Sequence, residues 1–243
     1  MNIIGPDELV FGVDDVASCS QYLIDYGLTP VGADASGGRF EAEDGTAVVI
    51  KRQDDPQLPA GLGTASLLRK TIYGVADAAT LEAIATELGR DREVLRLPDG
   101  SLQTVDDMGF VLGFQRTVRR PIRTATEGVN GPGSGPGRPL NDVAVNEDAP
   151  AQPLTLSHVV YFVPDEAKAA AFYTQRLGFR ETDRLLGAGG FLRPAGTQDH
   201  HTLFMIQTPP FMKGVEHFTF HMAGPTAMTV SYTHLTLPTK RIV

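Results

Sequence analysis

Hydrophobic and polar positions along the chain fall into a pattern that recurs. Residues His158–Asp183 read HVVYFVPDEAKAAAFYTQRLGFRETD. An apolar run suited to a buried strand leads to a Pro-Asp turn, an Ala-rich helix and then Gly178. Residues Glu8–Asp34, ELVFGVDDVASCSQYLIDYGLTPVGAD, repeat the order of strand, Asp-Asp turn, helix and glycine. One deletion in the helix aligns the two segments, setting Glu8 against His158, Tyr22 against Phe172 and Gly27 against Gly178. Each helix carries an Asp start signal and a Gly stop signal.

Two fainter copies follow the same plan. RKTIYGVADAATLEAIATELG gives strand, Asp turn and a helix ending at Gly89, and EHFTFHMAGPTAM begins in the same way and then breaks off. Strand-forming runs follow the first three helices in GRFEAEDGTAVVIK, LRLPDGSLQTVDDMGFVLGFQR and GGFLRPAGTQDHHTLFMIQ. Each unit is therefore strand, helix, strands, and the units pair into two similar domains. Residues 1–120 hold the first pair. Residues 121–153, dense in Gly, Pro, Asn and Asp, form a linker. The second domain spans 154–228. The GPGSGPG run in the linker is no phosphate loop, because no strand precedes it and Pro132 and Pro136 spoil a following helix.

Composition narrows the function classes. The chain has 243 residues, 42% hydrophobic and 21% charged, with a net charge of −8. That balance belongs to a globular protein and argues against nucleic acid or an anionic membrane as a partner. The one basic run, RTVRRPIR at Arg116–Arg123, adjoins the linker and reads as a solvated connection. A single cysteine, Cys19, rules out an internal disulfide framework and fits a reducing compartment. The start MNIIGPDELV has no signal-peptide pattern, and no run approaches the roughly 20 apolar residues of a membrane span. A cytoplasmic location is expected.

The six histidines change the picture. Residues 1–157 contain none, while His158, His200, His201, His217, His221 and His234 crowd the last third. His158 opens the first strand of unit three and His217 the first strand of unit four, so a pseudo-twofold between units brings them together. Two imidazoles there need one carboxylate to complete the facial triad that leaves open positions on ferrous iron. Glu8 and Lys70 occupy the matching positions of units one and two, which marks the first domain as metal-free. Strand alternation in HHTLFMI puts His201, Leu203 and Met205 on one face and His200 on the other.

LSHVVYFVPD with AFYTQRLGF, GGFLRPAGTQDHHTLFMI and GVEHFTFHM resemble the catalytic domain of the two-domain extradiol ring-cleavage dioxygenases. These belong to the vicinal-oxygen-chelate superfamily, with glyoxalase I and the bleomycin-resistance proteins. The resemblance is strongest over Leu156–Met222 and implies an α+β fold of paired βαβββ modules in two similar domains, the second incomplete. It implies that His158 and His217 ligate Fe(II), with Mn(II) as a substitute, and that His201 is the catalytic acid/base. It places Val160 and Phe191 along the pocket of a catecholic small molecule that is cleaved with O2. His200 is then a surface residue or a neighbour of the site. A homo-oligomer is expected of the full-length enzyme. A non-catalytic ligand-binding protein and a glyoxalase-like isomerase or lyase of the same superfamily are the alternatives.

The resemblance also implies a third ligand, a Glu on the last strand of unit four, which the chain does not show. The tail VSYTHLTLPTKRIV matches the translation of a sequencing-library adapter. On that reading the native sequence ends at Met228, residues 229–243 are foreign, His234 carries no meaning, and the chain is an inactive fragment.

Overall fold

The computed structural model describes residues 1–128, 131–133, 135–141 and 151–236, with side chains described as far as Tyr232. Parts of the expected linker and the end of the expected foreign tail lie outside the described residues. The first unit comprises β1 (Ile3–Val13), α1 (Val16–Asp25), β2 (Thr29–Asp34), β3 (Gly37–Glu41) and β4 (Ala47–Arg52). The second comprises β5 (Leu68–Val75), α2 (Ala78–Leu88), β6 (Leu95–Arg96), β7 (Leu102–Val105) and β8 (Val111–Arg116). The third has β9 (Thr155–Val163), α3 (Glu166–Ala171), β10 (Phe179–Leu185), β11 (Gly189–Pro194) and β12 (Leu203–Gln207). The fourth has β13 (Gly214–His221) and α4 (Pro225–Thr236).

Local chemistry sets the helix ends. Asp15, Asp77 and Asp165 each accept a hydrogen bond from the backbone N–H three residues on, at 2.9, 2.7 and 2.9 Å. Such a cap is worth about 1 kcal/mol. Gly27 and Gly178 leave their helices at φ +102° and +75°, conformations that disfavour a β-carbon. Gly89 instead stays right-handed at φ −64°. The deletion needed to align units one and three has a physical form. A π-turn at Phe172–Arg176 continues α3 and absorbs the extra residue between Phe172 and Gly178.

The strands form an eight-stranded sheet in the order β2-β3-β4-β1-β5-β8-β7-β6 and a five-stranded sheet in the order β10-β11-β12-β9-β13. Within a unit the first and last strands run parallel, as β1 with β4, β5 with β8 and β9 with β12. Between units the first strands run antiparallel, β1 with β5 and β9 with β13. The fold is α+β, as expected, with three βαβββ units and a fourth of which a strand and a helix are described. One detail is corrected. The fourth unit does not break off after its strand, because α4 follows it and runs into the tail read as foreign. Pro225 at the helix start and the hydrogen bonds from Thr226 and Ala227 N–H to Glu127 at 3.0 and 2.9 Å set its entry.

The two sheets share one buried cluster that runs from Leu9 and Tyr73 to Tyr161 and Phe179. Phe110 stacks on Tyr161 with ring centres 4.3 Å apart, and Tyr73 meets Phe179 edge-on at 5.8 Å. Polar groups are buried with these rings. The Thr71 and Tyr161 hydroxyls lie 2.5 Å apart, and Tyr173 donates to Asp106 at 3.1 Å. Asp106 also accepts from the N–H groups of Met108 and Phe110, both at 2.9 Å. Among the described residues no helix is long and apolar enough to cross a membrane.

Burial pushes the Asp106 carboxyl up to about 6, against the opposing pull of its hydrogen bonds. The folded state therefore holds this proton more tightly than the unfolded chain does. This group's contribution is most favourable below pH 4 and is lost as pH rises through 6. Asp106→Asn, which mimics the protonated acid, is expected to remove that dependence. The stability gap between wild type and variant should shift in favour of the variant by on the order of 3 kcal/mol between pH 4 and 7.5. Urea unfolding of both proteins across that range measures it. A gap independent of pH would contradict the assignment.

Candidate functional site

The antiparallel pairing of β9 with β13 sets Thr219 opposite His158 and His217 opposite Val160. His158 and His217 are thus diagonal neighbours on one face, close enough for their side chains to meet. Their Nε2 atoms stand 3.2 Å apart, with the rings at 73°. The two Nδ1 atoms have partners of their own. The Thr219 hydroxyl lies 3.0 Å from His158 Nδ1, and the Glu216 carboxylate meets His217 Nδ1.

His158 is half-buried. Burial, reinforced by the neighbouring imidazoles of His201, His217 and His221, pulls its pKa down to about 4. His201 is also held below the ordinary histidine value, by burial first and then by His200 and His217. Both rings are neutral at physiological pH, the state in which an imidazole ligates a metal or accepts a proton.

The separation of the two Nε2 atoms bears on metal binding. Two imidazole nitrogens bound side by side to one divalent ion, each at roughly 2.1 Å, stand about 3 Å apart. The pair fits that demand with little movement. Among the described residues no group of three or more His, Cys, Asp or Glu side chains is placed to hold a metal ion.

The other expected site residues converge on the same place. His201 lies beside His158 with ring centres 4.4 Å apart. Phe191 touches His201 at 4.9 Å and stacks on Phe204 at 4.0 Å. Val160, 1% exposed, pairs in register with both Phe204 and His217. The face expected for His201 is corrected. β12 starts only at Leu203, so His201 belongs to the preceding loop and strand alternation does not apply to it. Leu203 and Met205 are buried in the shared core, while His201 turns to Phe191 on the Phe204 side. Nor does His200 point away from its neighbour, because the two Nδ1 atoms are 3.1 Å apart. His200 is exposed, and its other nitrogen lies 3.7 Å from Asp183.

Residues 155–233 match the family described as Glyoxalase/Bleomycin resistance protein/Dioxygenase superfamily. Over 226 residues the chain is 28% identical to a biphenyl-2,3-diol 1,2-dioxygenase from Paraburkholderia xenovorans strain LB400, covering 88% of this chain and 70% of that protein. Among solved structures, the Mn(II)-bound glyoxalase from Novosphingobium aromaticivorans superposes with a TM-score of 0.71 at 19% identity, covering 98% of this chain and 71% of that one. The 2,3-dioxygenase LapB from Pseudomonas sp. KL28 superposes at 0.67 and 17%, covering 98% and 82%. The structural likenesses carry the fold. The resemblance to extradiol dioxygenases read from the histidine motifs is borne out.

Two residues that touch the histidine pair were missed by sequence reasoning, Glu216 and Thr219. Thr219 is two positions from His217 on an alternating strand, and that spacing was a usable signal. Glu216 was hidden because a neighbour in a regular strand points to the opposite face. A β-bulge between Val215 and His217 breaks that rule here. At the equivalent place in the first sheet, Glu8 pairs with Arg39 at 2.5 Å and Lys70 reaches Gln103 at 3.3 Å. An ion pair and an ammonium stand where the second sheet has its histidines.

Titration of the metal-free protein followed through the histidine ring resonances checks the electrostatics. His158 is expected to titrate near 4, so that it remains neutral at pH 5.5. A midpoint near 6.5, the ordinary value, would show that the ring is neither buried nor crowded as described.

Proposed function

We propose that the chain carries the catalytic domain of an Fe(II)-dependent extradiol dioxygenase, which cleaves a catecholic ring with O2. The observation that carries this reading is the His158–His217 pair, with His201 beside it and an aromatic wall of Phe191 and Phe204. The sequence likeness to a biphenyl-2,3-diol 1,2-dioxygenase supports the substrate class. His158 and His217 are two of the ligands of a set that needs one carboxylate more, the Glu that this chain does not show. Fe(II), or Mn(II) in its place, supplies open positions where a catecholate and O2 meet.

The chain's own residues do the rest. Val160 and the Phe191–Phe204 stack offer an apolar, flat-walled surface to one face of an aromatic ring. The neutral His201 imidazole accepts a proton from a catechol hydroxyl and returns it to a product oxygen. Its depressed proton affinity keeps it in the accepting form. The first domain lacks such a site and acts as scaffold. The protein works in the cytoplasm as a homo-oligomer on a small molecule.

The test expresses the protein from its genomic reading frame, reconstitutes it anaerobically with Fe(II) and adds catechol or biphenyl-2,3-diol in air-saturated buffer. A yellow ring-fission product is expected. A protein that binds iron and forms no such product from either diol would sink the reading. Replacing His158 or His217 by Ala should lose the iron, measured by metal analysis after desalting. His201→Ala should retain iron and slow turnover by ~10²–10⁴-fold, the usual contribution of a general acid–base group. If His201→Ala lost the iron and His217→Ala kept it, the roles would be reversed.

A further inference from the structure

We infer that Glu216 is a positioning residue that fixes the tautomer and ring orientation of His217; the inference rests on the reading of His217 as a metal ligand. The two nitrogens of an imidazole lie on opposite edges of the ring, and here they face different partners. Nε2 faces His158 Nε2 at 3.2 Å, and Nδ1 meets the Glu216 carboxylate. A carboxylate accepts hydrogen bonds and donates none when ionised, so the contact places the imidazole proton on Nδ1. The Nε2 lone pair is left aimed at the site. A hydrogen-bonded carboxylate also makes that lone pair more basic, as it does for histidines that hold metals in many proteins.

The backbone explains how two successive residues come to share an edge. Val215 pairs with Tyr161 and His217 with Val160, so Glu216 is the extra residue of a bulge. The same bulge occurs in the first sheet, where Leu68 pairs with Phe11 and Lys70 with Val10, leaving Arg69 as the extra residue. The geometry belongs to the fold, and the carboxylate belongs to unit four. Arg69 instead reaches the carbonyls of Pro59 and Gln53, both at 3.2 Å, and leaves Lys70 to Gln103. The bulge thus carries a carboxylate only where its neighbour is a histidine.

Two other roles for Glu216 fit less well. As a direct ligand it would have to reach the space between the Nε2 atoms, but it sits on the far edge of the His217 ring. As an ordinary surface ion pair it would seek a Lys or Arg, and among the described residues it pairs with neither. His158 has a neutral neighbour in Thr219, whose hydroxyl lies 3.0 Å from Nδ1 and 3.4 Å from Nε2, so His217 alone has a carboxylate at Nδ1. Two Nε2 lone pairs 3.2 Å apart repel unless a proton or a cation lies near both, which a divalent ion satisfies.

The experiment uses the ¹⁵N-labelled, metal-free chain and long-range ¹H–¹⁵N spectra of the His217 ring at pH 7.5. Wild type is expected to show the Nδ1–H form in excess. Glu216→Ala should move the ring toward the Nε2–H form, and Glu216→Gln, whose amide oxygen still accepts, should largely keep the wild-type pattern. A merely structural role would not separate Gln from Ala in this way. Mn(II) titration of the genomic-frame protein should show affinity reduced 10–100-fold in Glu216→Ala, with Gln between. A ring in the Nε2–H form in wild type, or one whose tautomer Glu216→Ala leaves unchanged, overturns the inference. Wild-type protein with the tautomer locked and no Mn(II) binding supports Glu216's role and counts against the metal-centre reading.

Discussion

The antiparallel pairing of first strands from successive units is the constraint on which the rest depends. It joins β9 to β13 in the same register that joins β1 to β5. Val160 stands opposite His217 as Val10 stands opposite Lys70, and His158 opposite Thr219 as Glu8 stands opposite Ile72. Everything functional is placed by that register. A slip of one residue would turn His217 to the opposite face of the sheet and part it from His158. The bulges at Arg69 and Glu216 recur because both strands must twist in the same way to carry their units around the pseudo-twofold.

The repeat and its consequences were legible in the sequence. The Asp caps, the stop glycines and the apolar runs are local signals, and the structure keeps all three Asp caps with their hydrogen bonds. The pairing of His158 with His217 followed from repeat equivalence alone. Other features depended on backbone geometry that no residue pattern encodes. The π-turn in α3 was visible only as an unexplained extra residue. The late start of β12 moved His201 out of the alternation assumed for it, and the bulge put Glu216 beside His217. Each of these is a local irregularity, and the last two place His201 and Glu216 beside the histidine pair. Periodic reasoning fails where the chain departs from periodicity, and sites are built from such departures.

The two sheets show what one geometry does with different side chains. In the first, Glu8, Arg39 and Glu41 form a chain of ion pairs at 2.5 and 2.7 Å, with Arg120 joining Glu41 at 2.6 Å. Opposite charges satisfy each other there, so that place makes no electrostatic demand on a ligand. The second sheet has His158 and His217 at the matching positions. Burial and the neighbouring imidazoles pull the His158 pKa down, and the two Nε2 atoms stand 3.2 Å apart. The difference between a scaffold and a site lies in two side chains at fixed positions of the same pairing.

β9 links these roles because its two faces serve different ends. His158 and Val160 project into the site, while Val159, Tyr161 and Val163 are fully buried in the core shared with the first sheet. Tyr161 is held at its ring by Phe110 and at its hydroxyl by Thr71. The backbone that carries His158 is therefore anchored by the half of the chain that has no histidine. A site needs its side chains held to within about 0.5 Å. β9 is paired on both sides, with β12 and β13, and its buried face packs against the first sheet. The first sheet contributes rigidity at the strand that carries His158, which gives a physical reason for a pair of units without histidines to accompany the pair that has them.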